Sequence, residues 1–127
     1  MGETGINKHL VGDSGEAGRV NALAIISREL NETIRNAHLA LEDCVDGQGG
    51  TAALTRTAEM LHIASGALRM TETYGAALLV EEMELCCKFL SNIRSDTGRE
   101  DGLDALTRSM VQLPIYIERL LGGGRDI

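Results

Sequence analysis

Residues 23–44 read LAIISRELNETIRNAHLALEDC, and their spacing decides the fold class. Leu23, Leu30, Ile34, Ala37, Leu41 and Cys44 recur at three-, four- and seven-residue steps, which puts them on one face of a helix turning about 100° per residue. Three further stretches carry the same signature. The second runs from about Thr51, placed as an N-cap, to Tyr74. The third begins near Gly75 and repeats Leu79, Met83, Cys86, Leu90 and Ile93. The fourth holds Leu103, Leu106, Met110, Leu113, Ile117 and Leu120, with Pro114 inside it. Glycine-rich or polar breaks separate them: Gly47-Gln48-Gly49-Gly50, Ser95-Asp96-Thr97-Gly98 and Gly122-Gly123-Gly124. Thr97 and Glu100 form a capping-box pair for the fourth helix.

The expected architecture is all-α: an antiparallel up-down four-helix bundle over residues 18–121. A flexible leader, residues 1–17, precedes it, and the start of a glycine-rich linker, residues 122–127, follows. Composition agrees. A chain of 127 residues hides about two-thirds of its unfolded surface, enough for one core. Its apolar share is 43%, yet only 2% is aromatic, with one proline. Sheets favour aromatic and β-branched residues, so Leu, Ala, Ile and Met point to packed helices.

Twelve Lys and Arg against nineteen Asp and Glu give a net charge of −7. That balance leaves no basic patch for nucleic acid and disfavours anionic membrane surfaces. No apolar run nears the roughly 20 residues that span a bilayer, and the N-terminus lacks the pattern of a secretion signal. Three cysteines, two of them adjacent at Cys86 and Cys87, suit a reduced, cytoplasmic protein. No cofactor or metal is expected: there is no phosphate-binding glycine loop and no C-x-x-C, and His9, His38 and His62 fall in separate segments. Cys44 and Cys86 sit on apolar stripes and read as small core residues. Glu81, Glu82 and Glu84 read as a solvated acidic face, with Glu84 four residues before Lys88.

His62 stands apart. Met60, Leu61, Ile63, Ala64, Ala67, Leu68 and Met70 cover one broad side of the second helix. His62 falls on the opposite arc with Thr55, Ser65, Gly66 and Arg69, so its imidazole is expected in solvent. Gly66, one turn on, costs about 1 kcal/mol relative to alanine inside a helix. It makes sense where another molecule must approach the imidazole closely. A neutral exposed imidazole is a competent nucleophile. An ordinary surface histidine beside a tolerated glycine is the alternative.

Three segments together resemble a known family. Leu61-His62-Ile-Ala-Ser-Gly66-Ala-Leu-Arg-Met70, Tyr74-Gly-Ala-Ala-Leu-Leu-Val-Glu-Glu-Met-Glu84 and Leu113-Pro-Ile-Tyr-Ile-Glu-Arg-Leu-Leu121 look like the N-terminal histidine phosphotransfer (HPt)-like domain of ChpA/PilL-type kinases. These are CheA-like hybrid sensor kinases of the chemosensory system that controls type IV pili and twitching motility. The resemblance covers about residues 20 to 126. It implies a four-helix bundle in which His62 accepts a phosphoryl group, Gly66 clears the approach, Ser65 donates a hydrogen bond and Arg69 offers charge. Expected partners are a response-regulator receiver domain, the kinase core of a parent protein, or a pilus-system adaptor protein. The ATP site and its Mg²⁺ belong to the partner. Two positions differ from the HPt pattern: its lysine three residues after the histidine is Ser65 here, and the interval from His62 to Gly75 is about three residues longer. The alternative function is a docking or localisation module of HPt fold that is never phosphorylated.

Overall fold

A computed structural model describes residues 2–47, 49–93, 96–124 and 126, with side chains from residue 17 onward except that of Asp96. These residues form four helices and no strand: α1 (Gly2–Val45), α2 (Gly50–Met70), α3 (Tyr74–Asn92) and α4 (Asp96–Leu121). Each helix packs on the next, and α1 with α4 closes the ring around a single core. The protein is an all-α four-helix bundle. No described helix is long and apolar enough to cross a membrane.

In α1 and α4 the apolar period is the buried face. Leu23, Leu30, Ile34, Ala37, Leu41 and Cys44 are all buried, as are Leu103, Leu106, Met110, Leu113, Ile117 and Leu120. Pro114 lies on the exposed side of α4, and the helix continues through it. Helix α1 starts at Gly2, so it includes residues 2–17, the expected leader. The period gave no sign of this, since the first buried side chain described is Leu23. Extending an existing helix avoids the nucleation penalty and needs no apolar face.

Helices α2 and α3 depart from expectation. Their buried faces mix small residues, Ala53, Ala58, Ala64 and Ser65 on α2 and Ala76, Ala77 and Cys87 on α3, with Leu54, Leu61 and Leu68 on α2 and Val80, Met83 and Leu90 on α3. Small side chains let two helices come close, and the α2–α3 interface is the most extensive of the four. Ile63 and Leu79 face outward instead, and Met70 is 87% exposed. Cys86 is only partly buried, while its neighbour Cys87 takes the core position.

Helix ends differ too. Thr51 is inside α2, whose N-cap is Gly49. Thr97 lies inside α4, which begins one residue earlier; Ser95 is outside the described residues. Gly122–Gly124, assigned from sequence to a linker, form a tight helix stop. Gly123, at φ 95°, donates to the Leu120 carbonyl, and Gly124 donates to that of Arg119.

The same stop closes α2 with a residue that resists it. Thr73 N–H donates to the Leu68 carbonyl at 2.8 Å and Glu72 N–H to that of Arg69 at 3.0 Å. This hydrogen-bond pattern needs a left-handed residue between them, and Glu72 supplies it at φ 58°. A side chain there clashes with the backbone by roughly 1 kcal/mol. Glu72→Gly is therefore expected to stabilise the fold by about 0.5–1 kcal/mol, the glycine's added freedom when unfolded offsetting part of the gain. Denaturant midpoints of the two proteins check this; a lower midpoint for the glycine variant contradicts it.

Candidate functional site

His62 sits mid-way along α2 with its side chain 75% exposed, as its place in the helical projection requires. Beneath it lies Glu84 of α3, whose side chain is only 11% exposed. The His62 Nδ1 and Glu84 Oε1 atoms are 3.2 Å apart. The other carboxylate oxygen, Oε2, accepts from Lys88 Nζ at 2.9 Å. Glu84 is therefore not a solvated partner of Lys88 alone, as its spacing suggested, but a buried link between two helices.

Its charge state follows from its neighbours. Burial acts to raise the Glu84 pKa, but hydrogen bonds and positive charge from Lys88 and His62 outweigh it and hold the carboxyl below its ordinary 4.5. An ionised carboxylate only accepts hydrogen bonds, so Nδ1 must carry the proton in the pair. In the neutral ring Nε2 is then the nitrogen with the lone pair. The carboxylate orients the imidazole and leaves Nε2 as its nucleophilic atom.

The four residues singled out from sequence converge, together with Glu81, Glu84 and Leu85, around one shallow cleft of ≈340 Å³. Their roles differ from the expectation. Gly66 has no neighbouring heavy atom within 4 Å of where a Cβ would stand, apart from its own helix backbone, so this face is open. Ser65 is 4% exposed and belongs to the core face rather than the polar arc. Its hydroxyl donates to the His62 carbonyl at 2.8 Å, tying up its hydrogen. Arg69 is engaged as well: its Nε and an Nη atom both point to Glu81 Oε2. That pair is partly exposed, where such contacts are weak and exchangeable.

A second, larger groove of ≈480 Å³ also has His62 and Glu84 on its wall. Leu54, Ala58, Ile63 and Cys87 make it apolar, and Thr55, Glu59, Lys88 and Ser91 line the rest. Cys87 is no nucleophile: burial, reinforced by Cys86, Cys44 and Glu84 nearby, pushes its thiol pKa up to about 12. Glu84 and this groove are what the sequence reading missed. The available signal was the spacing of Val80, Met83, Glu84 and Cys87, which puts Glu84 on the buried face of α3.

The sign of the pH dependence follows from the lowered Glu84 pKa. Because the folded value is below the unfolded one, the pair's contribution is present above 4.5 and is lost as pH falls through the folded value. Wild type is expected to be more stable than Glu84→Gln at neutral pH, and the gap is expected to narrow on acidification below 4.5. Urea unfolding of both proteins across that range checks it; a gap that stays constant contradicts the assignment.

No protein-family model, curated protein or solved structure matches the chain.

Proposed function

We propose that this chain is an HPt-like signalling module in which His62 accepts and passes on a phosphoryl group in a two-component or chemotaxis-type relay. The observation that carries the reading is the Nδ1 contact to buried Glu84, which leaves Nε2 of an exposed imidazole free to attack. Nε2 attacks phosphorus of an aspartyl phosphate on a receiver domain, or the γ-phosphorus of ATP held by a kinase core. A P–N bond forms, and the P–O bond to the leaving carboxylate or to ADP breaks. The ring gains positive charge in that step, and Glu84 lies against its Nδ1–H to stabilise it. Arg69 supports the reading if it turns from Glu81 to the phosphoryl oxygens, an exchange that a partly exposed ion pair permits. Ser65 does not contribute a donor in this arrangement.

Docking is supported by Ile63 and Leu85, large exposed apolar side chains on the walls of the two clefts that His62 lines. The resemblance to ChpA/PilL-type domains supplies the wider setting, a cytoplasmic relay acting on type IV pili and twitching motility. A second reading, a docking or localisation module that is never phosphorylated, is favoured by one observation. Both side chains assigned to hold the phosphoryl group, Ser65 and Arg69, already have partners within the chain.

Labelled ATP, Mg²⁺ and a CheA-like kinase core separate the two. Wild type is expected to take up acid-labile label and His62→Gln none. The substitution is expected to cost about 1 kcal/mol or less, because the glutamine amide can still donate to Glu84. Gly66→Leu is expected to fold with equal or higher stability, since it fills open space on a helix. It is expected to lose most transfer by obstructing the approach to His62. A wild type that takes up no label, or a His62→Gln variant that does, refutes the phosphotransfer reading.

A further inference from the structure

One carboxylate joins the start of α3 to α4 and to the segment about fifty residues further along the chain. Asp126 accepts hydrogen bonds from the backbone N–H groups of Gly75 at 2.8 Å and Ala76 at 2.9 Å, in the first turn of α3. The Tyr116 hydroxyl of α4 donates to the same carboxylate at 2.7 Å. The glycine stop after α4 permits the reversal: past Gly123, at φ 95°, the chain turns back towards the start of α3.

We propose that this return is a clasp that sets how firmly α3 holds the His62 site. The α3–α4 contact is the least extensive of the four helix interfaces. The connection between these helices joins the end of α3 to the start of α4, so the opposite end has no covalent tie. Asp126 and Tyr116 supply one there. A carboxylate at the first turn of a helix also meets its unpaired N–H groups and the positive end of its dipole. With the clasp closed, Ala76 and Ala77 stay in the core, and the same rigid helix carries Glu81 to Arg69 and Glu84 to His62. Ala76 and Glu84 are eight residues apart, about 12 Å along the helix axis. Opening the clasp uncaps the start of α3 and loosens the carboxylate that orients the imidazole. A molecule that captures the segment around Asp126 therefore acts on His62 without touching it. Asp126 and Tyr116 are positioning residues in this scheme, and the scheme holds whether or not His62 is ever phosphorylated.

The test uses the isotope-labelled full chain, observed by NMR with no kinase present. Amide exchange is read at Gly75 and Ala76, and the ring nitrogens of His62 report its tautomer. In Asp126→Ala, exchange at Gly75 and Ala76 is expected to rise at least about tenfold above that of core amides in α1. The His62 nitrogens are expected to move from one tautomer towards a mixture. Tyr116→Phe should do the same to a smaller extent, and it is the variant to read if Asp126→Ala fails to fold. Unchanged exchange at Gly75 and Ala76 overturns the clasp. Faster exchange with unaltered His62 nitrogens reduces Asp126 to a local helix cap and overturns the coupling.

Discussion

The separation between α2 and α3 is the constraint on which the site depends. Small side chains, Ala58 on α2 and Cys87 on α3 among them, let the two helices approach at the groove beside Glu84. At that spacing a glutamate rooted in the core of α3 can reach an imidazole that stands in solvent on α2. Larger side chains between these helices would force them apart, and overpacking of this kind commonly costs about 1–3 kcal/mol. The functional loss would come earlier, because a hydrogen bond of 3.2 Å has little slack before it ceases to orient the ring.

The two ion pairs beside His62 have different characters. Glu84 is nearly buried, so removing either partner leaves a charge in poor solvent, and the arrangement is rigid. Arg69 and Glu81 are partly exposed, so water can replace either partner at small cost. The first pair fixes the ring, and the second can be exchanged. The proposed relay role would use both properties: an orientation that does not drift, and a cation that can be released when negative charge arrives.

How much of this was legible in the sequence follows from where apolar residues lie. In α1 and α4 every residue of the stripe read from the apolar period is buried, although Ile25, Leu39, Val111 and Ile115 lie off it and are exposed. In α2 and α3 apolar residues surround the helix. Ile63, Met70, Leu78, Leu85 and Phe89 are exposed while Ala53, Ala64, Ala76 and Ala77 are buried beside the core leucines, so a reading by hydrophobicity rotates the buried face. Ser65 moved from the polar arc to the core for that reason. Glu84 was concealed by its neighbour Lys88, since an acid four residues before a base is the ordinary mark of a solvated helix surface. His62 and Gly66 were legible because both lie where the projection is unambiguous. Neither Glu72 in its left-handed turn nor the return of Asp126 has a local sequence signal, since each is specified by contacts between helix ends.

The exposed apolar residues and the charge pairing bear on the same question of approach. A chain with net charge −7 repels acidic partners at long range, more strongly at low salt. Around His62 that repulsion is locally relieved: Arg69 answers Glu81, and Lys88 and His62 answer Glu84. What remains beside the imidazole is an apolar groove and a face left open at Gly66. Such a surface gains affinity by excluding water rather than by attracting charge, so association there should depend only weakly on ionic strength. Under the proposed phosphotransfer, the phosphoryl group would add up to two negative charges at Nε2 and make this face more anionic. On that proposal, a partner held by apolar contact would be released more readily after it has given up its phosphoryl group than before. In a relay, that asymmetry would favour turnover over a stable complex.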